Sequence, residues 1–160
     1  MDFQYRHQLK KSDKKKIKDL LWSTGFFYDY EIKVAIDIVE LVLRKGENSS
    51  GYHFIIAEYE NKMLGFSCFG AAPCTLASYD IYWFAVQKDS MNRGLGGKIL
   101  SHTEAIISGK GGANIWVETS SRTTYSPTRA FYRKKGYVIQ AELPDFYGPG
   151  DNKVIFLKKV

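Results

Sequence analysis

The alternation of apolar and polar side chains predicts two helices near the start of the chain, preceded by a short strand over residues 3–9. Ser12 is a typical N-cap for the first helix, because its hydroxyl can accept a hydrogen bond from a free amide of the first turn. We expect Gly25 to end this helix. The second helix is predicted over residues 30–44, where polar residues recur every three or four positions and form one hydrated stripe, and Gly46 ends it.

The middle of the chain has the periodicity of strands. Residues 52–59 and 62–69 flank the pair Glu60-Asn61, which predicts a tight hairpin. The strand over residues 79–86 is rich in aromatic and aliphatic side chains, so we expect both of its faces to be covered.

A helix over residues 94–107 follows this strand, and a strand over residues 113–118 follows the helix. Strand, helix and strand in that order predict a parallel pair of strands joined by a right-handed crossover. The side chains of this helix that we expect to face the sheet are Leu95, Ile99, Leu100, Ala105 and Ile106.

The last part of the chain begins with a helix over residues 128–135, which Pro127 introduces at a favourable first-turn position. Strands are predicted over residues 137–141 and 153–158. The segment 143–152 between them contains Pro, Gly and Asp, and it is predicted to be a loop.

Together these elements predict a mixed α/β (α+β) fold: a central, mostly antiparallel sheet with one parallel β–α–β unit and helices on both faces. The chain has 160 residues, of which 44% are hydrophobic, which suits one domain with its own core. We therefore expect a single domain over residues 1–160.

Composition and charge exclude several classes of function. No apolar run approaches the roughly 20 residues that span a bilayer, so we expect a cytoplasmic protein without a membrane partner. The two cysteines, Cys68 and Cys74, have neither disulfide-framework nor metal-ligand spacing, so no metal is expected. The net charge is +6, and a lysine cluster over residues 10–18 contributes to it. Without a recognition motif we expect no nucleic acid partner, and a basic RNA-associated module is kept as a less favoured alternative.

Three glycines within residues 94–97 stand where the strand and a polar loop lead into a helix. The first amides of a helix have no intrahelical partner and lie at the positive end of its dipole, so this turn is suited to an anion. Arg93 and Lys98 add positive charge. Ile99 breaks both the Walker and the dinucleotide-binding patterns, and a glycine-rich helix start without a ligand is the alternative.

The stretch Met91-Asn92-Arg93-Gly94-Leu95-Gly96, after a strand that ends in Ala85-Val86, resembles the Gln/Arg-x-x-Gly-x-Gly/Ala signature of the GNAT acyltransferases. A second stretch, Phe131-Tyr-Arg-Lys-Lys-Gly-Tyr137, is similar to the family's Phe-Tyr-x-x-x-Gly-Phe/Tyr. Three positions depart from the family pattern: Met91, Tyr125 and Thr128. Because the two stretches occur in the right order and spacing, the chain is identified as a member of the family over roughly residues 52–137, with a GNAT-like fold.

The resemblance implies acetyl-CoA as co-substrate and direct transfer of its acetyl group to an amine, which would make the protein an N-acetyltransferase. The residues implied in acetyl-CoA binding, many of them through the main chain, are Phe84, Ala85, Val86, Met91, Asn92, Arg93, Gly94, Leu95, Gly96, Gly97, Lys98 and Tyr132. A non-catalytic acyl-CoA sensor on the same fold is the alternative that the three departures favour.

The resemblance also suggests catalytic groups. Asp80 stands where part of the family has a Glu general base, and strand alternation places it on the same side as Phe84 and Val86. Glu118, at the end of the next strand, is the rival base. Tyr132 matches the family's Tyr acid, which protonates the leaving CoA thiolate. A purely structural role is the alternative for each of these residues.

The sequence gives the least information about the residues that bind the acceptor. Phe26, Phe27 and Tyr28 lie between the first two helices, in a region that borders the acceptor in the family. With Asp80 and Glu118 they would form a substrate-binding wall that favours a cationic primary amine, on a small molecule or a peptide. A role for these aromatics in the core is the alternative. The pattern identifies neither the amine nor the oligomeric state, and a homodimer is left open.

Overall fold

The computed structural model describes residues 3–160, which form a seven-stranded sheet and five α-helices. The strands are β1 Gln4–Arg6, β2 His53–Tyr59, β3 Lys62–Ala71, β4 Ser78–Val86, β5 Asn114–Ser120, β6 Val138–Gly148 and β7 Asp151–Lys159. The helices are α1 Asp13–Thr24, α2 Asp29–Lys45, α3 Glu47–Ser50, α4 Leu95–Gly109 and α5 Ser126–Lys134. Two 3₁₀ turns, Lys88–Ser90 and Thr123–Tyr125, precede α4 and α5. None of the helices in the described range is both long and apolar enough to cross a bilayer.

The strand order is β1-β2-β3-β4-β5-β7-β6. Neighbouring strands run antiparallel except for β4 and β5, which are parallel and are joined through α4. This confirms the predicted fold class, including the single β–α–β unit. The predicted hairpin between β2 and β3 is also confirmed, because Glu60 and Asn61 both have positive φ angles (49° and 63°), as a tight two-residue turn requires.

The sheet separates two hydrophobic cores. On one side, which we call the α1–α2 face, residues such as Ile17, Leu21 and Val39 pack against the sheet. On the other side, the α4–α5 face, the helices bury residues such as Ile99 and Tyr132. The central strand β3 is buried from its second to its ninth residue, because helices cover both of its sides.

A β-bulge interrupts β4 at Tyr82. In the register with β3, Cys68 lies opposite Trp83 while the next residue, Phe69, lies opposite Ile81, so Tyr82 is an extra residue on β4. The alternation of side chains therefore changes at this point. The expectation that Asp80 shares a face with Phe84 and Val86 is wrong: Asp80 is on the α1–α2 face, while Phe84 and Val86 pack on the α4–α5 core. The expectation that β4 is covered on both faces is also wrong at Tyr82, which is 38% exposed.

The prediction of a loop over residues 143–152 is wrong as well, because β6 and β7 form one long hairpin. β6 extends to Gly148, which pairs with Asp151 across the closing turn. The strand is irregular in the middle: Asp145 has a φ of 52°, and the register shifts between Leu143 and Gly148. Pro144 has no amide hydrogen to donate to a ladder, so it marks this irregularity within a strand and not the end of the strand.

Two smaller predictions about helices are corrected. Ser12 has helical backbone angles and its hydroxyl does not cap α1; Asp13 instead accepts a hydrogen bond from the Lys10 amide at 2.7 Å. In α4 the buried positions continue with Thr103 and Ile107, and Ile106 is half-buried and packs against the α4–α5 core as predicted, whereas Ala105 is exposed. Thr103 is tolerated in the core because its hydroxyl bonds to the Ser67 hydroxyl at 2.7 Å.

Candidate active site

The two parallel strands of the sheet separate halfway along their length. β4 and β5 pair from Ser78 opposite Asn114 to Ile81 opposite Val117. Beyond that point β4 continues beside β3 as far as Val86, and β5 continues beside β7. The bulge at Tyr82 lies where the separation begins, and a bulge bends and twists the strand that carries it. Within the described residues, the facing edges of β4 and β5 beyond Ile81 therefore have no strand between them.

Two carboxylates lie beside this gap on the α1–α2 face. Asp80 and Glu118 each neighbour a residue, Ile81 and Val117, that is buried in the opposite core, so both carboxylates point away from that core. Burial and the charge of Glu118 raise the pKa of Asp80 above its ordinary value, while the Tyr82 hydroxyl acts in the opposite direction. Asp80 is therefore protonated more readily than an ordinary aspartate.

Glu118 has a different environment from Asp80. Its carboxylate is 2.8 Å from Lys153 Nζ, and its side chain is 51% exposed. The ion pair offsets its negative charge, and solvent reaches the rest of the group. The structure thus places both predicted bases on the α1–α2 face. Among the ion pairs of residues 3–160, only Glu118 of these two has a cationic partner.

Tyr132 lies on the other side of the sheet, in the α4–α5 core. Its ring is 6.4 Å from that of Phe84, 5.3 Å from that of Tyr137 and 5.9 Å from that of Phe156, measured between centroids. Only 3% of the residue is exposed, and burial raises the pKa of its hydroxyl well above the ordinary value. Tyr137, which packs on it, donates a hydrogen bond to Glu104 at 3.1 Å, and this bond holds the Tyr137 ring beside Tyr132.

The glycine turn has the geometry that an anion site requires. Gly94 has a φ of 79°, a left-handed conformation that glycine adopts without steric cost, and it directly precedes the first turn of α4. Gly97 allows the Lys135 side chain to approach the turn closely, since a Cβ at Gly97 would lie 2.7 Å from Lys135 Nζ. A cavity of about 330 Å³ is lined by Gly94, Gly97, His102 and the two lysines Lys98 and Lys135. The free amides and the two lysines make this cavity suitable for phosphate groups.

The other residues predicted to bind acetyl-CoA near this turn differ in where their side chains lie. Leu95 and Ala85 are buried in the cores and offer a ligand their main chain only, and Met91 packs against the α4–α5 core. Asn92 is exposed with a φ of 61°. Arg93 lines a separate cavity of about 220 Å³ together with Phe3, whose ring centroid is 5.1 Å from Lys98 Nζ.

The three predicted acceptor residues lie in the loop between α1 and α2. Phe27 packs on Trp83 of β4, with 5.3 Å between ring centroids, and Phe26 packs on Tyr125 at 5.9 Å. Tyr28 is 47% exposed and forms a surface of the loop. Phe26 and Phe27 are half-buried by this packing, and the ring of Tyr28 is contacted by Arg122 at 4.6 Å and stacks on Tyr30 at 5.4 Å. The role of all three residues toward an acceptor stays a prediction.

The β6–β7 hairpin adds residues that the sequence analysis missed. Lys153 Nζ lies 3.6 Å from the centroid of the Phe146 ring. Tyr147 is close enough to Glu118 for that charge, after burial, to raise the pKa of its hydroxyl. The sequence signal for these residues is the aromatic pair Phe146-Tyr147 inside a segment otherwise rich in turn residues. Because that segment was predicted to be a loop, nothing placed the pair beside the carboxylates.

In the described part of the chain, no group of three or more His, Cys, Asp or Glu side chains is arranged to hold a metal ion. The cysteines are a buried Cys68 and an exposed Cys74.

A family model for the acetyltransferase (GNAT) domain matches residues 50–139, which is more than half of the chain. The chain belongs to the GNAT acetyltransferases. A crystal structure of a GNAT-family protein from Desulfovibrio desulfuricans is similar over the whole length, with 35% sequence identity, a TM-score of 0.95 and coverage of 99% of each chain.

Two further structures share the fold of this GNAT protein at lower identity. The ribosomal-protein-S18-alanine N-acetyltransferase from Escherichia coli is 17% identical, with a TM-score of 0.77 and coverage of 99% of this chain and 94% of the other. The PaiA N-acetyltransferase from Thermoplasma acidophilum, solved in complex with coenzyme A, is 17% identical, with a TM-score of 0.75 and full coverage of both chains. No curated protein matches by sequence.

Proposed function

We propose that this GNAT protein is a single-domain N-acetyltransferase that transfers the acetyl group of acetyl-CoA directly to a cationic primary amine, on a small molecule or a peptide. One observation carries the proposal: β4 and β5 separate just beyond Ile81, with carboxylates on one side of the gap and Tyr132 on the other. A donor and an acceptor can therefore approach from opposite faces and meet in the gap.

The donor is held largely by the main chain. The amides at the start of α4, with Lys98 and Lys135, bind the phosphate groups of coenzyme A. The free edge of Trp83–Val86 pairs with the amides of the pantetheine arm, as an added strand would. A backbone amide near the end of β4 is suited to stabilise the oxyanion of the transition state. The Thermoplasma acidophilum relative in complex with coenzyme A supports this choice of donor.

Asp80 is the general base in this proposal. An alkylamine is mostly protonated at neutral pH and must lose a proton before it can attack. A base works best when its pKa is near the working pH, and Asp80 is the carboxylate whose pKa is raised, whereas Glu118 is paired with Lys153. Glu118 has the secondary role of raising the pKa of Asp80 and attracting the ammonium group.

The reaction balances without a metal or a covalent enzyme intermediate. The ammonium gives one proton to Asp80, directly or through a water, and the neutral nitrogen attacks the thioester carbon. As the C–N bond forms and the C–S bond breaks, the sulfur takes the bonding electron pair and accepts the hydrogen of Tyr132. The second proton of the nitrogen reaches the tyrosinate through solvent, and Asp80 releases the first to water, so that each turnover frees one proton. Because burial raises the pKa of Tyr132, this donation must accompany cleavage of the C–S bond.

The surface around the carboxylates favours a positively charged acceptor. Tyr28 and Tyr147 are both close to half exposed, and Asp80 and Glu118 lie on the same side of the sheet. Aromatic faces and carboxylates both attract ammonium groups. Lys153 and Arg122 also lie on this side, but Lys153 is paired with Glu118 and Arg122 with Asp151, which leaves Asp80 as the unpaired carboxylate of the two predicted bases among the ion pairs of residues 3–160.

A release assay tests the proposal. Free thiol is measured while the protein is incubated with acetyl-CoA and a panel of primary amines, and acetyl-CoA binding is followed by the rise in melting temperature. We expect binding of acetyl-CoA and amine-dependent release of thiol. Binding without turnover on any amine would favour the acyl-CoA sensor, and no binding would contradict both.

A further inference from the structure

Arg122 connects three segments that surround the proposed acceptor site. Its Nη1 donates to the Tyr28 hydroxyl at 2.8 Å, and its Nη2 donates to the Phe26 carbonyl at 3.3 Å. Its Nε donates to the Ser120 hydroxyl at 3.2 Å and lies 3.4 Å from the Asp151 carboxylate. One side chain thus links the α1–α2 loop to the end of β5 and to the start of β7.

Aromatic rings also hold the guanidinium group. Its central carbon is 4.6 Å from the centroid of the Tyr28 ring and 5.3 Å from that of the Tyr125 ring. A planar guanidinium can stack on an aromatic face while its N–H groups bond in the plane, which a lysine ammonium cannot do. The contacts therefore need arginine at position 122 and not just a positive charge.

The α1–α2 loop depends on such a tether, because its internal hydrogen bonds are local. The Phe26 amide bonds to the Thr24 hydroxyl, and the Tyr28 amide bonds to the Glu31 carboxylate. These bonds shape the loop but do not attach it to the sheet. Attachment comes from the packing of the two phenylalanines, from the Tyr125 hydroxyl, which donates to the Phe26 carbonyl at 3.5 Å, and from the shorter polar contacts of Arg122.

We propose that Arg122 is a positioning residue of the acceptor site: it holds the Tyr28 side of the α1–α2 loop against β5 and the β6–β7 hairpin before the amine binds. This inference rests on the proposed function insofar as it assigns an amine to that site. A wall that is already ordered loses less conformational entropy when the acceptor binds. Loss of Arg122 therefore raises KM for the amine, while acetyl-CoA binding on the opposite face is unchanged.

The test compares Arg122→Lys, Tyr28→Phe and the native protein, with Arg133→Ala as the matched control because Arg133 is exposed on α5. Hydrogen exchange is measured for the amides of residues 25–29. Steady-state constants are measured with the best acceptor among spermidine, tyramine and an alanine-initiated hexapeptide, and the Kd of acetyl-CoA is measured by calorimetry.

For Arg122→Lys we expect exchange in residues 25–29 to accelerate about tenfold, and KM for the amine to rise about tenfold while kcat changes about twofold or less. Tyr28→Phe, which loses one hydrogen bond and keeps the ring, gives a smaller change in the same direction, and Arg133→Ala behaves as the native protein. Unchanged exchange overturns the proposal, as does a fall in kcat at constant KM or faster exchange with an unchanged KM. If the native protein acetylates none of the three amines, the proposed function fails on these probes, and the exchange rates alone decide whether Arg122 holds the loop.

Discussion

Asp80 and Phe84 lie on opposite faces of β4, although they are four residues apart and a regular strand would place them on the same face. The extra residue at the bulge, Tyr82, causes the difference. Without it Asp80 would point into the α4–α5 core beside Phe84, and the carboxylate would have no access to an amine on the α1–α2 face. The bulge thus divides the proposed chemistry between two faces of one strand.

We predict that Tyr132→Phe lowers kcat about a hundredfold, the usual range for loss of a general acid. The ring and its packing on Tyr137 and Phe156 are kept, so acetyl-CoA affinity and melting temperature stay close to native values. Stopped-flow release of thiol measures kcat, and calorimetry measures the affinity. A native kcat would remove Tyr132 from the chemistry.

Asp80→Asn is predicted to lower kcat more than Glu118→Gln does. The amide cannot accept a proton from the ammonium, whereas loss of Glu118 leaves the base in place. The measurement is kcat at pH 7 for both variants. A larger loss in Glu118→Gln would transfer the role of base to Glu118.

The pH profile of Glu118→Gln tests the coupling between the two carboxylates. Activity requires ionised Asp80, so kcat/KM falls as the pH drops through the pKa of Asp80. The charge of Glu118 contributes to raising that pKa, so its removal is expected to shift the acid limb of the profile to lower pH. Glu40→Gln, an exposed residue of α2 paired with Lys14, is the charge-matched control and leaves the limb in place. A limb that moves upward would contradict the assignment.

Gly94→Ala is expected to weaken acetyl-CoA binding and to destabilise the fold by about 1 kcal/mol, because an alanine at a φ of 79° is strained. Gly109→Ala is the matched control: it lies at the end of α4, where an added Cβ meets nothing within 4 Å. Chemical denaturation and calorimetry measure the two effects. Equal behaviour of the two variants would argue against the strained turn as the phosphate site.

The N-terminal ion pairs predict a dependence of stability on pH. Arg6 bonds to Glu58 at 2.8 Å and lowers the pKa of that carboxylate. A lowered folded-state pKa stabilises the protein above the unfolded-state pKa of about 4.3, and this contribution is lost as pH falls through the folded value. Glu58→Gln is therefore less stable than the native protein at pH 7, and the difference shrinks as the pH falls through the folded-state pKa of Glu58. A difference that does not change with pH would refute the linkage.

Much of the fold follows from local sequence signals. Glu60-Asn61 specifies its hairpin, Pro127 lies in the first turn of α5, and the order of strand, helix and strand specifies the parallel pair. The bulge at Tyr82 could not be predicted, because an inserted residue does not change the apolar character of a strand that is apolar on both sides. The full length of the β6–β7 hairpin could not be predicted because it contains Pro144 and Gly148, and these residue types occur more often in loops.

Only part of the candidate site could be predicted from the sequence. The glycine turn and Tyr132 belong to contiguous motifs, so they could be named before the fold was known. Arg122 and Lys153 carry no such signal, because each is one basic residue among many. Their importance comes from partners that are distant in the chain, Tyr28 for Arg122 and Glu118 for Lys153.

A crystal structure with coenzyme A bound tests the central claim most directly. We predict that the diphosphate lies against the amides at the start of α4, that the pantetheine runs along Trp83–Val86, and that the sulfur lies in the gap beyond Ile81 beside the Tyr132 hydroxyl. Coenzyme A bound elsewhere, or a gap closed by direct pairing of β4 with β5 beyond Ile81, would contradict the account.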